Sequence, residues 1–311
     1  MTYSRIVGTG SYLPAKMVTN KDLEVKIDTS DEWIRERTGI ERRHVAAPGE
    51  RSSHMGYAAA CKALEMAELS AEDIDLIIVG TTTPDKSFPS TACLIQKQLG
   101  TSGPAAFDVQ AACSGFIYTL DLADRQIRTG AASKALVIGA EKLSKLVNWD
   151  DRGTAVLFGD GAGAAVLAES GEPGLLASHI HSEGEFEDLL YVCSDDGFIK
   201  MDGNAVFRKA VAKFDEMAKE IIASHDLDDA AIDWLVPHQA NLRIIKAAAK
   251  RVGLPMDRVI VTVHEHANTS AASIPLALDT AVRDGRVKQG DLLLMEAFGA
   301  GFTWGSALLR F

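Results

Sequence analysis

Residues 105–139 read AAFDVQAACSGFIYTLDLADRQIRTGAASKALVIG, and this stretch contains the pattern that decides the fold. An apolar run at 105–109 gives way to small residues around Cys113. A helical stripe of apolar side chains follows and ends before Gly130. A second apolar run, ALVIG at 135–139, closes the unit. A strand, a helix and a buried strand in this order are typical of an α/β protein.

The same alternation runs through the rest of the chain. Helical patterns such as SSHMGYAAACKALEMAEL (52–69) and NLRIIKAAAKRVG (241–253) lie between short apolar runs. Continuous apolar strands between helices predict sheets that are covered by helices on both faces. The runs outside the first stretch are LIIVG (76–80), WLVP (234–237), VIVTV (259–263) and LLLMEAF (292–298).

A weak internal repeat divides the chain into two similar halves. Cys113 follows the strand that ends at Thr81 at nearly the distance by which Asn268 follows the strand that ends at His238. Each half also closes on a strand beside a glycine turn, FGDGAGAAVLAE from Phe158 and FGAGFTWGSALLRF from Phe298. We interpret the halves as duplicated α/β units, 1–170 carrying the cysteine and 171–311 carrying the histidine and asparagine.

A duplication of this kind predicts where the polar residues meet. It places Cys113 and Asn268 at equivalent positions, with His238 at the end of an equivalent strand. Ligands of α/β sheets collect beyond the carboxyl ends of strands. We therefore expect the three side chains to form one site.

Composition limits the possible functions. The chain has 311 residues, of which 47% are hydrophobic and 24% charged, as in ordinary globular proteins. Its 32 basic and 43 acidic residues give a net charge of −11, which argues against a general nucleic-acid binder. No apolar segment reaches the length of a membrane span, and the first residues lack a signal peptide's apolar core. We expect a cytoplasmic protein that binds neither nucleic acid nor membrane.

Cys113 is the candidate nucleophile. It begins a helix, where the helix dipole and free backbone N–H groups favour a thiolate. A thiolate is both a good nucleophile and a reasonable leaving group, which suits acyl transfer through a thioester. Packing roles are predicted for the other cysteines, and no C-x-x-C pair or disulfide framework occurs among Cys61, Cys93, Cys113 and Cys193.

His238 and Asn268 are the candidate hydrogen-bond donors. A neutral imidazole and an amide can each donate to a carbonyl oxygen, so a converging pair would stabilise an enolate. Glycines in FGAGFTWG (298–305) allow a backbone N–H to approach the same oxygen. A helix cap at Asn268 and a core histidine at His238 are the alternatives. The H-x-H pairs at 179–181 and 264–266 lack further ligands, so no metal is expected.

Several motifs together resemble one enzyme family, and they cover essentially the whole chain. The chain is similar to β-ketoacyl-[acyl-carrier-protein] synthase III, a condensing enzyme of the thiolase-like superfamily. The resemblance implies a five-layered αβαβα sandwich made of two related halves, and a homodimer. The matching segments are DTSDEWIRERTGI (28–40), DVQAACSGF (108–116), DRGTAVLFGDGAG (151–163), VPHQAN (236–241), HANTSAAS (266–273) and FGAGFTWGSALLRF (298–311).

The resemblance also implies a reaction. Cys113 would take an acetyl group from acetyl-CoA, with the backbone N–H groups of Cys113 and Gly301 as the oxyanion hole. Malonyl-acyl-carrier protein would then lose CO2 while His238 and Asn268 hold its thioester carbonyl. The enolate would attack the acetyl-cysteine and yield acetoacetyl-acyl-carrier protein, the first condensation of type II fatty acid synthesis. Neither a metal nor a cofactor takes part.

Further residues match the family's ligand-binding positions. The resemblance places three residues around coenzyme A, three along the pantetheine tunnel and two in the acyl pocket. The first of the acyl-pocket residues would come from the partner subunit. Ala267 and Ala300 depart from the family, which often has glycine there, and this puts acyl selectivity more in doubt than the reaction. The implied sets are Trp33, Arg37 and Arg152; Phe207, Ala240 and Asn241; Phe88 and Phe158.

An acidic carrier protein needs a local basic surface on a chain that is itself acidic. Arg243, Lys246 and Lys250 recur at helical spacing in NLRIIKAAAKRVGLPMDR (241–258), with Arg251 beside them. We interpret these four residues, joined by Arg208, as the carrier-protein patch. A solvated helix face is the alternative.

Other functions share parts of the pattern. The order Cys, His, Asn also occurs in papain-like proteases, but there the cysteine lies near the mature N-terminus in a different motif. The resemblance separates the chain from thiolases and elongating synthases, which have a cysteine or a histidine where this chain has Asn268. A synthase of the same chemistry that uses a longer or branched primer, or serves a secondary pathway, is the main alternative. A binding protein without catalysis would form no acyl-enzyme.

Overall fold

The computed structural model describes residues 2–225 and 231–311. The strands are β1 (Tyr3–Tyr12), β2 (Met17–Thr19), β3 (Arg42–His44), β4 (Leu76–Gly80), β5 (Ala105–Val109), β6 (Lys134–Lys142), β7 (Asp160–Ser170), β8 (Leu175–Ser182), β9 (Leu190–Val192), β10 (Ile199–Met201), β11 (Trp234–Pro237), β12 (Leu292–Gly299) and β13 (Thr303–Arg310). The α-helices are α1 (Asn20–Glu24), α2 (Asp31–Thr38), α3 (Ser52–Met66), α4 (Thr91–Leu99), α5 (Gly115–Arg128), α6 (Arg152–Ala155), α7 (Gly203–His225), α8 (Leu242–Val252), α9 (Val263–His266) and α10 (Ser273–Arg283).

Two larger sheets share one plan. The first has the order β1-β7-β6-β4-β5, and the second has the order β8-β13-β12-β11. In each, the strands at one end are antiparallel, β1 with β7 and β7 with β6 in the first sheet and β8 with β13 and β13 with β12 in the second. The next pair in each sheet is parallel, β6 with β4 and β12 with β11. An isolated parallel bridge between Leu235 and Val259 stands where β5 stands in the first sheet. The predicted duplication is therefore visible in the strand order.

The predicted strand VIVTV (259–263) is wrong as a regular strand. Beyond the bridge at Val259 the backbone turns, and α9 begins at Val263. The side chain of Gln239 accepts the backbone N–H groups of Thr262 and Val263 at 2.8 and 3.1 Å. These bonds replace strand pairing. The apolar pattern of the segment carries no information about these hydrogen bonds to a distant side chain.

The layers follow from where the helices bury their apolar faces. Helices α5 and α10 lie between the two sheets, and their side chains share one apolar core with strands of both. Helices α3 and α4 cover the outer face of the first sheet, and α7 and α8 cover that of the second. The apolar stripe on α5 is fully buried, as predicted. This confirms the five-layered αβαβα sandwich.

The two central helices begin in the same way. A 3-10 turn precedes each, Ala112–Ser114 before α5 and Ser270–Ala272 before α10. The first residue of each turn has a positive φ, 44° at Ala112 and 50° at Ser270. Cys113 therefore corresponds to Ala271. The predicted equivalence of Cys113 and Asn268 is wrong by three positions, because Asn268 lies in the loop before the turn.

A glycine in each sheet admits the helix start that belongs to the other half. A Cβ on Gly299 of β12 would lie 2.6 Å from the backbone N of Cys113. A Cβ on Gly139 of β6 would lie 2.2 Å from the carbonyl oxygen of Ala271. Neither distance accommodates a side chain, so both glycines are needed for this interlocked packing.

The interlock brings both helix starts to the same ends of the sheets. Strand β7 ends at Ser170 and β8 begins at Leu175, so the predicted boundary at 170/171 falls in the intervening turn and stays a prediction. None of the helices in 2–225 and 231–311 is both long and apolar enough to cross a membrane.

Candidate active site

A cavity of about 640 Å³ opens beside the two helix starts. Cys113, His238 and Asn268 all line it, so the structure brings the three predicted side chains together. Each is at least nine-tenths buried. The other predicted site residues that line this cavity are Arg37, Phe158, Phe207, Ala240, Asn241, Arg243 and Gly301.

Cys113 lies in the 3-10 turn before α5 with a neutral thiol. Burial raises the pKa of the Cys113 thiol to about 12, and the nearby Glu141 carboxylate acts in the same direction. Hydrogen bonds from Ser270 and from the residue's own backbone lower the pKa but do not compensate. The expected resting thiolate is therefore wrong, because desolvation outweighs the helix end.

His238 is held as a neutral imidazole. Its Nδ1 lies 2.7 Å from Ser273 Oγ, and that oxygen also accepts the N–H of Gln239 at 3.3 Å. The serine hydrogen is then available for Nδ1, which favours the proton on Nε2, the nitrogen left for the cavity. Burial lowers the pKa of His238 to about 3. The ring is thus arranged as a hydrogen-bond donor without charge.

Asn268 is oriented by an Asx turn. Its Oδ1 accepts the backbone N–H of Ser270 at 2.9 Å, which leaves the Nδ2 amino group as the donor. The backbone is tied to the first half as well. Asn268 N donates to Leu157 O at 2.9 Å, and Gly159 N donates to Asn268 O at 3.0 Å. Asn268 caps no helix, so its amide can serve the cavity.

The glycine turn 299–301 is fixed against the cysteine loop. Thr303 Oγ1 donates to Ala111 O at 2.8 Å, and Ser114 Oγ donates to Thr303 O at 3.0 Å. These bonds hold the turn between β12 and β13 beside Cys113. Gly301 has φ of 133°, a backbone that other residues rarely adopt. The roles of Cys113 and Gly301 as an oxyanion hole stay a prediction.

The predicted coenzyme A residues form a cluster at the surface. The Arg152 guanidinium lies 4.8 Å from the centre of the Trp33 ring, and that of Arg37 lies 5.8 Å from it. Of these three, only Arg37 reaches the cavity lining. A second stack, Arg243 over Phe207 at 5.1 Å, lies among the cavity residues. Asn241 caps α8 through its Oδ1, which accepts the N–H of Ile244 at 3.0 Å.

The remaining predicted residues are exposed at the surface. Phe88 is 84% exposed and does not line the cavity within this chain. The patch residues Arg208, Arg243, Lys246, Lys250 and Arg251 are all exposed, on α7 and α8. Arg251 is 3.7 Å from Asp215, which reduces its free positive charge.

Comparison with known proteins places this geometry in one family. The two 3-oxoacyl-[acyl-carrier-protein (ACP)] synthase III models, one of them describing the C-terminal part, match residues 107–184 and 222–311. A curated β-ketoacyl-[acyl-carrier-protein] synthase III of Thioalkalivibrio sulfidiphilus is 60% identical, with all of both chains covered. The chain belongs to the 3-oxoacyl-[acyl-carrier-protein] synthase III family. It is therefore a condensing acyltransferase with the thiolase-like fold.

Two further relatives agree. The synthase III of Alkalilimnicola ehrlichii is 57% identical over the whole of both chains. The crystal structure of the synthase III from Aquifex aeolicus VF5 is 50% identical, covers 99% of this chain and 100% of its own, and superimposes with a TM-score of 0.97.

In this synthase III chain, sequence reasoning missed three polar residues of the site. Ser270 and Ser273 stand within HANTSAAS but were given no role, although hydroxyl groups shortly after a site asparagine are a recognisable signal. Glu141, at the end of β6, had no local signal. The fold alone brings it close to Cys113, where its charge raises the pKa of the thiol.

The two histidine pairs lie in different elements. His264 and His266 lie in the short helix α9. His179 and His181 of β8 both face Glu220, at 3.2 and 2.9 Å. Among the described residues no group of three or more His, Cys, Asp or Glu side chains could hold a metal ion.

Proposed function

We propose that this synthase III condenses acetyl-CoA with malonyl-acyl-carrier protein, giving acetoacetyl-acyl-carrier protein, CoA and CO2, and so initiates fatty acid synthesis. One observation supports the assignment of roles above the others. A single buried cavity brings a cysteine together with two neutral side chains, each with its second polar atom already occupied. That arrangement suits two-step thioester chemistry without a cofactor.

In the first step Cys113 attacks the acetyl thioester. The S–C bond to Cys113 forms, the bond to the CoA sulfur breaks, and CoA leaves. The backbone N–H groups of Cys113 and Gly301 stabilise the tetrahedral oxyanion. The hydrogen bonds that fix the glycine turn against the cysteine loop support this role, because preorganised donors need no rearrangement during the reaction.

In the second step malonyl-acyl-carrier protein loses CO2. His238 Nε2 and Asn268 Nδ2 donate to the thioester oxygen, on which negative charge develops as the enolate forms. The carbon attacks the acetyl group, and Cys113 leaves as the thiolate. The pKa of about 3 for His238 supports donation by a neutral imidazole, which holds the enolate without transferring a proton to it.

Trp33, Arg37 and Arg152 are proposed to hold coenzyme A at the entrance. The flat indole beside two guanidinium groups suits an adenine ring, and the positive charges suit the phosphates of coenzyme A. Phe207, Ala240 and Asn241 would line the pantetheine path. The exposed cations of α7 and α8 would receive the acidic carrier protein.

A homodimer is part of the proposal. Phe88 is 84% exposed and Phe107 on the edge strand β5 is 38% exposed, so a large aromatic side chain and one edge of the first sheet are both open to a partner. A partner seated there would cover both and bring its own Phe88 toward this chain. Phe158 lines the cavity and is proposed to contact the acyl group. We also propose a cytoplasmic location, which is supported by the proposed substrates, acetyl-CoA and malonyl-acyl-carrier protein, and by the four cysteines, which are free thiols.

Intact-protein mass spectrometry tests the proposal. The enzyme is mixed with acetyl-, butyryl-, isobutyryl- or octanoyl-CoA, and malonyl-acyl-carrier protein is then added. We expect an acetyl adduct on Cys113 that disappears after the second addition. In Asn268→Ala the adduct should form and persist, whereas Cys113→Ala should form none.

Each other outcome has a meaning. Adducts with longer or branched chains only would keep the mechanism and move the enzyme to another pathway. An acetyl adduct in Cys113→Ala would overturn the assignment of the nucleophile. Consumption of the adduct in Asn268→Ala at the wild-type rate would remove that residue from the second step.

A further inference from the structure

Gln239 is a fully buried amide that does not line the cavity. Its side chain uses its whole hydrogen-bonding capacity on the backbone. Nε2 donates to the carbonyl oxygens of Pro237 and Ile260 at 2.8 and 3.0 Å. Oε1 accepts the N–H groups of Thr262 and Val263 at 2.8 and 3.1 Å. Two carbonyl groups and two N–H groups therefore fix the orientation of this amide.

The four hydrogen bonds join the turn that carries His238 to the segment that leads to Asn268. Strand β11 ends directly before His238, and α9 ends two residues before Asn268. Thr262, the N-cap residue of α9, makes no capping bond with its own side chain. The amide of Gln239 accepts the first N–H groups of the helix instead. Gln239 thereby fixes the start of α9 relative to His238, and α9 carries the chain to Asn268.

The segment that carries Asn268 is tied to the same turn at its other end. Ser273 is the first residue of α10, and its Oγ lies 2.7 Å from His238 Nδ1. The same oxygen accepts the backbone N–H of Gln239 at 3.3 Å. Residues 262–273 thus form a loop whose two ends are both bonded to His238 or Gln239. The serine orients the imidazole ring, whereas the amide holds the backbone that precedes Asn268.

Different hydrogen bonds tie Asn268 to the half that carries the nucleophile. Its backbone N donates to Leu157 O at 2.9 Å, and its carbonyl oxygen accepts the N–H of Gly159 at 3.0 Å. Both partners belong to the half that carries Cys113. Separate contacts therefore set the distance from Asn268 to the nucleophile and its distance to the imidazole. A change in the amide at position 239 should alter the second distance more than the first.

We propose that Gln239 is a positioning residue for the condensation step and sets the spacing of His238 Nε2 and Asn268 Nδ2. This rests on the proposed function, in which both nitrogens donate to one thioester oxygen. Two donors can serve one oxygen only if each lies about 2.9 Å from it, so their separation has to be fixed. A buried amide with four backbone partners is a stiff spacer, because breaking any of its bonds leaves a buried polar group unsatisfied. Acylation of Cys113 does not use the pair and should not depend on Gln239.

Separate measurement of the two half-reactions tests the proposal. The enzyme is acetylated with acetyl-CoA, the acetyl-enzyme is counted by intact-protein mass spectrometry, and saturating malonyl-acyl-carrier protein is then added. Gln239→Met keeps the length of the side chain and removes all four hydrogen bonds. We expect its single-turnover acetylation to stay within ~3-fold of the wild-type rate and its condensation to slow by ~10²-fold. The condensation rate is expressed per acetyl-enzyme, so unfolded molecules do not contribute to it.

A second variant and a control complete the set. Gln239→Glu keeps an acceptor for the N–H groups of α9 and removes the Nε2 donor, so its condensation should slow less, by ~10-fold. It also provides the test if Gln239→Met does not fold. Gln96→Met is the matched control. Gln96 Nε2 donates to Pro104 O at 2.8 Å, and this residue of α4 does not line the cavity. Both half-reactions should keep their wild-type rates in the control.

A double-variant cycle separates positioning from a general loss of stability. In Asn268→Ala the spacing of the pair no longer matters, because one donor is gone. Adding Gln239→Met should therefore slow the residual condensation by less than ~5-fold. A further loss of ~10²-fold in the double variant would overturn the proposal.

Two more results would also overturn it. One is condensation at the wild-type rate in a folded Gln239→Met enzyme, and the other is an equal loss of acetylation and condensation in that variant. A wild-type enzyme that forms no acetyl-enzyme, or whose acetyl-enzyme does not react with malonyl-acyl-carrier protein, would contradict the proposed function instead. The two failures are therefore distinguishable.

Discussion

The starts of α5 and α10 are the same structure with different contents. Both begin with a 3-10 turn whose first residue has a positive φ, and both pack against a glycine of the opposite sheet. The first start carries Cys113, whereas the second has Ala271 at that position and carries Asn268 and Ser270 around it. Duplication thus supplied two equivalent helix starts, here called the first frame (the start of α5) and the second frame (the start of α10). In the proposed reaction one frame holds the nucleophile, and the other holds the amide that would act on its substrate.

Substitution of the nucleophile should have the largest effect, and substitution at the equivalent position of the second frame should have little effect on acyl-enzyme formation. Cys113→Ala should abolish the acyl-enzyme, because no other cysteine lines the cavity within the described residues. Ala271→Gly changes the equivalent position and should keep the acetyl adduct, at a stability cost of roughly 0.5–1 kcal/mol. Intact-mass measurement and urea unfolding check both. Loss of the adduct in a folded Ala271→Gly enzyme would contradict the division of labour.

Gly299 and Gly139, which pack against the two helix starts, provide a second comparison of the two frames. Gly299→Ala and Gly139→Ala should each destabilise the protein by about 1–3 kcal/mol, since the new methyl meets backbone atoms. Gly299→Ala also displaces the N–H of Cys113, so its kcat/KM should fall by ~10²-fold. The loss in Gly139→Ala should be at least ~10-fold smaller. Equal losses of activity would show that the frames are functionally coupled.

His238 makes the second half sensitive to acid. Its folded pKa of about 3 lies below the ordinary value of 6.5, so the unfolded chain binds more protons between these values. The stability that the neutral His238 contributes to the folded state is fully present above pH 6.5. It is lost as the pH falls toward 3, by up to ~1.4 kcal/mol per pH unit. His238→Gln should lose stability less steeply from pH 6.5 to 4.5 in urea unfolding. An unchanged slope would contradict the buried neutral imidazole.

Ala267 stores strain in the second frame. Its φ of 57° and ψ of −161° fall in a region that glycine occupies easily and alanine does not. Ala267→Gly should therefore raise the free energy of unfolding by about 1 kcal/mol after the entropy cost of glycine. Ala271→Gly, four residues later and without a positive φ, is the control and should lower it. The thermal midpoints of the two variants should move in opposite directions.

The outer helices α8 and α4 occupy corresponding places and differ in charge. Lys250→Glu with Arg251→Glu on α8 should raise the KM for malonyl-acyl-carrier protein by ~5–10-fold at low salt and leave acetylation by acetyl-CoA unchanged. Lys97→Glu on α4 is the matched change in the first half and should alter neither. Unchanged carrier kinetics in the α8 variant at low ionic strength would remove the carrier-protein patch.

Much of the fold could be predicted because its signals are local. The runs LIIVG and WLVP coincide with β4 and β11, and NLRIIKAAAKRVG contains α8 with Gly253 as its left-handed end. The strand predicted for VIVTV (259–263) was wrong, because the side chain of Gln239, which is distant in the sequence, accepts the backbone N–H groups of Thr262 and Val263. The predicted thiolate failed for a similar reason. A helix start is a local signal, but burial depends on everything packed around it.

By itself the sequence determined the alternation of strands and helices, the duplicated plan and the identities of Cys113, His238 and Asn268. These depend on periodicity and on the type of each residue. Only the tertiary structure decided that Cys113 corresponds to Ala271, that Ser273 orients His238 and that Glu141 lies close to Cys113. The physical reason is that such relations join residues far apart in the chain, and desolvation and hydrogen bonding arise where those residues meet.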